Sequence, residues 1–185
     1  MLVMKLSTLA AGLGLLVTLP NLLGVLSPTT YAGLARRFPR HTPVGWILTL
    51  LATVWFIHYV SLETNQDFMH LKKLLYLVFG AVGVGTCLFV RDYLPVRGLA
   101  ALYLLAAKLM VDTARDVQTD WRLVIVSWAY VLVLAGMWFT VSPWRLRDLI
   151  QWGTASEGRT RLLCGLQVAF GLLVLALAFT AFRAA

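Results

Sequence analysis

Apolar residues fall in six long runs along this chain, separated by short polar stretches. The runs are Leu6–Leu26, Val44–Leu62, Leu74–Val90, Gly98–Val111, Leu123–Val141 and Leu162–Phe182. About 20 predominantly apolar residues make a helix long enough to cross the hydrocarbon core of a bilayer. A helix also satisfies its own backbone hydrogen bonds where lipid cannot. The pattern therefore predicts six transmembrane helices and an all-α, polytopic membrane protein. Because the apolar residues run continuously and do not alternate, a transmembrane β-barrel is excluded. The fourth run is the weakest: it is short, carries Lys108 near its end and is followed at once by Asp112. Lys5 ahead of the first run resembles the opening of a signal peptide, but no small-x-small cleavage site follows, so this run is read as a retained helix.

Two of the polar stretches carry a pattern of their own. Ser27-Pro28 follows the first run and Ser142-Pro143 follows the fifth. Each pair suits an N-cap followed by proline at the first helical position. Apolar or small residues then recur at helical spacing, as Tyr31, Leu34, Ala35 and Phe38 in the first stretch and Leu146, Leu149, Ile150 and Gly153 in the second. The opposite face is basic in both, which describes a short helix lying in the membrane interface. Each short helix leads into a span with a glycine near its start, Gly45 and Gly165. A unit of span, interfacial helix and span thus occurs over residues 1–62 and again over 116–185, in the same direction across the membrane, as a parallel internal repeat would. Residues 63–115 form a central hairpin, and the whole is one transmembrane domain over 1–185. The plainer alternative is that any Ser-Pro loop between two spans looks like this.

The second unit has a further likeness. From Ala135-Gly136 through Ser142-Pro143-Trp144 to Arg161-Leu162-Leu163-Cys164-Gly165 and Gly171, it resembles the small, uncharacterised two-span bacterial inner-membrane proteins of the DUF2065 type. Those have a glycine in the first helix, a proline opening a basic interfacial helix and Arg-x-x-x-Gly leading into the second. The resemblance covers about a quarter of the chain. It implies a bacterial inner-membrane location and carries no activity with it.

Composition sharpens the layout. Hydrophobic residues make up 60% of the chain, leaving no soluble domain for water-phase chemistry. The formal charge of +8 is unevenly placed. Nine Lys or Arg flank one side (Arg36, Arg37, Arg40, Arg91, Arg97, Arg145, Arg147, Arg159, Arg161) and six the other (Lys5, Lys72, Lys73, Arg115, Arg122, Arg183). The excess of positive charge in short loops marks the cytoplasmic side, so both termini are expected on the periplasmic side. Glu63, Asp67, Asp112, Asp116 and Asp120 fall on that outer side and only Asp92, Asp148 and Glu157 on the inner. The basic face suits anionic lipid headgroups. Basic residues spread over three loops of a membrane protein make a poor nucleic-acid site.

Several residues invite a chemical reading. His58 and His70 stand near the outer ends of the second and third runs, joined by a short hairpin. Imidazole is a frequent ligand for haem, chlorophyll-type pigments and zinc. His58 and His70 are therefore candidate cofactor contacts, and Glu63 and Asp67 between them would complete a metal set. The alternative is a pair of interfacial polar residues. Lys108 and Asp112, one helical turn apart inside a span, form the most unusual ionisable pair, because charges in a span normally face a partner or a wet cavity. They read either as a cation or proton entry, with Asp116 and Asp120 continuing the face if the helix extends, or as a snorkelling lysine paired with its neighbour. Arg91 and Arg97 flank the turn of the central hairpin and would suit a lipid phosphate or a plain positive-inside loop. Cys87 and Cys164 lie singly inside spans and read as packing residues. Small-residue faces at Ala10 and Gly14, at Gly80, Ala81, Gly83 and Gly85, and at Gly165 and Ala169 would let helices approach closely. Trp46, Trp138, Trp144 and Trp152 mark the inner interface and Trp55 and Trp121 the outer. Trp128, in mid-span, is expected to pack on a neighbour.

No nucleophile or acid–base constellation accompanies these residues. The leading expectation is a non-catalytic integral subunit of a larger bacterial membrane complex, whose partners are other membrane protein subunits and lipids. If that complex transduces energy, His58 is the first candidate for a haem or chlorophyll-type pigment. The alternative is a small transporter or channel for a cation or a proton-coupled solute, and a lipid-processing enzyme ranks third.

Overall fold

A computed structural model describes residues 5–63, 69–90 and 92–183. The chain is all-α and polytopic. Among the described residues its helices are α1 (Leu6–Leu26), α2 (Pro28–Arg37), α3 (Thr42–Leu62), α4 (Lys72–Phe89), α5 (Leu94–Ala114), α6 (Arg122–Val141), α7 (Trp144–Gly153) and α8 (Glu157–Phe179), with a short 3₁₀ turn, Phe38–Arg40, between α2 and α3. All but α2 and α7 are long and apolar enough to cross a membrane.

The fourth and sixth spans differ most from expectation. The fourth is full length: α5 begins four residues before Gly98, with Pro95 in its first turn, where the missing N–H has no helical partner to lose. Ahead of it Tyr93 takes the left-handed conformation, φ 54° and ψ 28°. This is an uncommon backbone for a bulky residue. It is held because Tyr93 packs against the Val96, Ala100 and Phe139 cluster while Arg147 Nη1 donates to its hydroxyl at 3.0 Å. α5 ends at Ala114, so Asp116 and Asp120 leave the helix and no acidic stripe continues from Asp112. α8 starts five residues before Leu162. Ser156 Oγ accepts the Arg159 N–H at 3.3 Å and Glu157 sits in the first turn, where a negative charge meets the positive end of the helix dipole. It ends at Phe179, and Phe182 turns back into the core with its N–H donating to the Leu177 carbonyl at 3.0 Å.

The two short helices lie where the sequence pattern puts them, ten residues each. Their starts are built differently from the expected serine caps. Ser27 and Ser142 share one backbone geometry, φ −135°, ψ 74° and φ −131°, ψ 72°, and each N–H donates back into the preceding span at 2.8 Å, to Leu23 and Trp138. The serines thus close α1 and α6, and neither side chain caps the following helix. Gly45 and Gly165 are not equivalent: Gly45 is buried against Leu94 and Pro95, whereas Gly165 faces open space.

α5 is the hub. It packs on α3 and α6 and touches α1, and 44% of its apolar window is buried, against 11% for α3 and for α4. α1 and α8 lie along one another in the most extensive interface of the bundle. The main core gathers Leu6, Leu9 and Ala10 of α1, Ala107, Met110 and Ala114 of α5, Ile125 and Ala129 of α6, and Val174, Leu177 and Ala178 of α8. Trp128 meets Phe170 edge-on at 5.1 Å, the packing role expected of it. Cys87 and Cys164 are buried.

Glycines set the helix spacings. A Cβ on Gly98 would lie 2.8 Å from the Thr49 nitrogen, and one on Gly136 3.1 Å from the Ala100 carbonyl oxygen. On the other side of α3, Gly83 of α4 receives Thr53. Gly14 and Gly171 meet across α1 and α8, where Gly171 also receives Thr18. Of the small faces read from sequence, those of Gly14 and Gly83 are used inside the bundle. Gly80 and Gly165 have nothing within 4 Å, and the contact face of α8 is instead Gly171, Val174 and Ala178.

The contrast is testable in detergent. Gly98→Ala is expected to destabilise the fold by about 1–3 kcal/mol, because backbone has to move. Gly80→Ala should be neutral or stabilising by up to about 1 kcal/mol, the helix-propensity gain alone. Thermal unfolding followed by tryptophan fluorescence distinguishes them.

Candidate functional site

His58 lies on the last turns of α3 and His70 in the turn before α4, and both are exposed. The helix ends that carry them are tied by Lys72, whose Nζ donates to the Ser61 carbonyl at 3.0 Å, while Ser61 Oγ donates to the His58 carbonyl at 2.7 Å. Glu63 is exposed at the end of α3, and Asp67 lies outside the described residues. Among the described residues no three His, Cys, Asp or Glu side chains gather where a metal ion could be held.

Lys108 and Asp112 do meet. Nζ lies 2.6 Å from Oδ2, with both groups substantially exposed on the flank of α5. The ammonium also stands 5.0 Å from the centroid of the Tyr59 ring on α3. A cation on an aromatic face gains from the ring quadrupole, so this lysine is neutralised by Asp112 on its own helix and cushioned by α3. The Tyr59 hydroxyl is buried and has no hydrogen-bond partner among the described residues. Arg97 is exposed on the first turn of α5, and Arg91 lies outside the described residues.

The most developed polar arrangement is on the opposite, basic face, where α2, α7 and the start of α8 converge around a cleft of about 170 Å³. Tyr31 and Ala35 of α2, Leu149, Ile150 and Gly153 of α7, the following Thr154, and Thr160, Leu163, Cys164 and Gln167 of α8 line it. The helices are clasped by Arg36, whose Nε donates to Thr154 Oγ1 at 2.9 Å and whose Nη2 donates to the Thr154 carbonyl at 2.6 Å. That carbonyl belongs to the C-terminal end of α7, where a guanidinium complements the negative end of the helix dipole. Thr154 Oγ1 in turn donates to the Ile150 carbonyl at 2.7 Å. Thr160 Oγ1 lies 3.0 Å from the Ser156 carbonyl oxygen and 3.5 Å from that of Gly153. Arg159 Nη1 donates to the Trp152 carbonyl at 3.0 Å, with the guanidinium 5.0 Å from the Trp152 ring centroid.

Behind the cleft, Tyr31 reaches into the end of α1. Its hydroxyl donates to Asn21 Oδ1 at 3.3 Å, and Asn21 Nδ2 donates to the Val17 carbonyl at 2.8 Å. Gly24 leaves room there for Cys164 and Tyr31. Burial pushes the Tyr31 phenol up to about 12, with nearby Cys164 adding to the shift. On the first turn of α7 Arg147 contacts Asp148 at 2.9 Å, and that hydrogen bond raises the arginine above its ordinary value.

The lining offers hydroxyls, an amide and a thiol, with the Arg36 fork bonded to one of its residues, Thr154. The sequence pattern placed Tyr31 and Arg36 on the interfacial helix but missed Thr154, Thr160, Asn21 and Gln167. The available signal was that Asn21 and Gln167 interrupt otherwise apolar spans, where polar groups are costly and seek partners.

The Tyr31 shift has a consequence for stability. A phenol raised in the folded protein keeps its proton where the unfolded chain's phenol, near 10, releases it. Its contribution is therefore whole below pH 10 and is lost as pH rises through 12. Thermal stability in detergent should fall across that window in the parent protein and fall less in Tyr31→Phe. At pH 7 the same variant should cost about 1 kcal/mol, the net value of the hydrogen bond to Asn21.

No family model matches this chain, and no curated protein or solved structure matches it either. The likeness of the Ala135–Gly171 stretch to the DUF2065-type two-span proteins thus rests on the residues that carry it.

Proposed function

We propose that this chain is a non-catalytic integral subunit of a larger bacterial inner-membrane assembly, and that α4 is the helix that holds it there. The observation behind this reading is the open small-residue face of α4. This helix packs chiefly on α3, through Gly83, and most of its surface is exposed. Gly80 has nothing within 4 Å, and Gly85 meets only the Phe89 ring of its own helix at 4.0 Å. A glycine in a helix gives up stability relative to alanine, so glycines facing outward call for a reason outside the bundle. Close approach of a partner helix is such a reason, since membrane helices associate through small residues that let backbones come near. Ala81 and Gly85, four residues apart with exposed Leu77 and Leu88 on either side, form a face of that kind.

In that assembly the basic face, with α2 and α7, lies on the cytoplasmic side and both termini are periplasmic, supported by the excess of Lys and Arg in its loops. The inner-membrane location rests on the DUF2065-type resemblance. A haem or chlorophyll-type macrocycle on His58 or His70 would sit between this chain and a neighbour, because both imidazoles are exposed on the outside of the bundle.

A second reading, a small transporter for a cation or a proton-coupled solute, is favoured by the Lys108–Asp112 pair and the buried Tyr59 hydroxyl beside it. One set of experiments separates the two. A photo-crosslinking residue at Leu77 or Leu88 in native membranes should give one adduct of fixed mass with a different membrane protein, and the same residue at buried Cys87 should give none. Gly85→Leu should abolish the adduct while leaving the thermal stability of the isolated chain unchanged. An adduct only with a second copy of the chain would overturn the subunit reading. So would cation or proton flux in liposomes holding the chain alone, if Lys108→Met and Asp112→Asn abolish it.

A further inference from the structure

We infer that the cleft between α2, α7 and α8 is a binding site for one anionic glycerophospholipid, with the phosphate at Arg36 and an acyl chain running along α8. This inference is independent of whether the chain is a subunit or a transporter.

Position is the first argument. α2 and α7 each join two spans on the same side, so they lie at headgroup depth, and the cleft between them opens at the level where phosphate gives way to hydrocarbon. Its lining mixes the two environments: Thr154 and Thr160 lie at the loop end, Leu149, Ile150 and Leu163 line its walls, and Gln167 stands deepest on α8. Thr160 and Gln167 are seven residues apart on α8, about 10 Å along the helix axis at 1.5 Å per residue. The cleft thus extends along α8 for about 10 Å, in the direction an acyl chain would take.

Charge is the second. Arginine carries five N–H donors in a planar fork that matches phosphate. Arg36 uses two of them on Thr154, a lining residue, which ties the guanidinium to the cleft while three remain for a ligand. Arg159 and Arg161 are exposed on the first turns of α8, and the nearest acids by sequence are Asp148 and Glu157. Asp148 is engaged by Arg147. A net positive rim over an apolar slot fits an anionic lipid better than a zwitterionic one.

The test uses the full chain in detergent, with phosphatidylglycerol, phosphatidylcholine and inorganic phosphate as separate probes and native mass spectrometry and thermal stability as readouts. One phosphatidylglycerol should be retained per chain and should raise the unfolding temperature, with phosphatidylcholine clearly weaker. Inorganic phosphate alone should give no shift; a shift equal to that of the lipid would reduce the site to an anion site and overturn the acyl-chain assignment. Arg36→Gln should weaken phosphatidylglycerol retention roughly five- to tenfold, the scale of one basic residue at an anionic headgroup, with little effect on phosphatidylcholine. Thr154→Val removes a hydroxyl that anchors Arg36 but keeps the charge. If it weakens retention as much as Arg36→Gln does, Arg36 is only a clasp and the headgroup assignment fails. Gly153→Leu fills the cleft against Leu163, the nearest neighbour of that glycine. A folded Gly153→Leu chain that still retains the lipid overturns the proposal. Should that variant not fold, Ala35→Phe closes the same cleft from α2 and is read the same way.

Discussion

An apolar side chain gains little by leaving lipid for a neighbouring helix, since both are hydrocarbon. Close approach of their backbones therefore holds the helices of this bundle, and one pair recurs in it. A threonine on one helix meets a glycine on the next: Thr18 with Gly171, Thr49 with Gly98, and Thr53 with Gly83. In each case the threonine hydroxyl occupies space that a Cβ on the glycine would need. Two of these hydroxyls, Thr18 and Thr49, are buried without a conventional hydrogen-bond partner among the described residues. These pairs lie at the contacts of α3 with α4 and α5 and of α1 with α8, while α5 and α6 meet at Gly136 without a threonine.

The polar chemistry is divided between the two ends of the bundle. At the end bearing the termini, Lys108, Asp112 and Tyr59 form a self-contained group that joins α5 to α3. At the other end, polar side chains join elements far apart in sequence. Arg36 spans 118 residues to reach Thr154, and Arg147 spans 54 to reach Tyr93. The second of these bonds secures a left-handed residue at the start of the hub helix, so the geometry of α5 depends on α7. The interfacial helices are thus structural ties as well as the walls of a cleft.

The spans were legible in the sequence because hydropathy and length are local properties. The fourth was underestimated because Lys108, Asp112 and Pro95 interrupt its apolar run, although a helix tolerates proline in its first turn and a snorkelling lysine in its last turns. The start of α8 was placed late because Arg159 and Arg161 look like loop residues, whereas the cap at Ser156 begins the helix before the hydrocarbon does. Small residues were visible, but which of them face inward was not: Gly83 and Gly80 are three apart, and only packing separates them. The cleft was not legible at all. Arg36, Thr154 and Gln167 belong to three elements, and periodicity within any one of them carries no record of the others.

The pairing of α1 with α8 has a consequence for how the protein is made. Its most extensive interface joins the first span to the last, which are separated by the rest of the chain. At ordinary rates of synthesis, α1 enters the membrane on the order of ten seconds before its partner exists. During that interval Gly14 and Thr18, which meet Gly171 of α8, lack their native neighbour, whereas Asn21 already has Tyr31 of α2. Closure of the bundle is therefore a late event, waiting on the last helix, and the face of α1 that carries Gly14 and Thr18 is what membrane-inserting machinery would have to shelter until then.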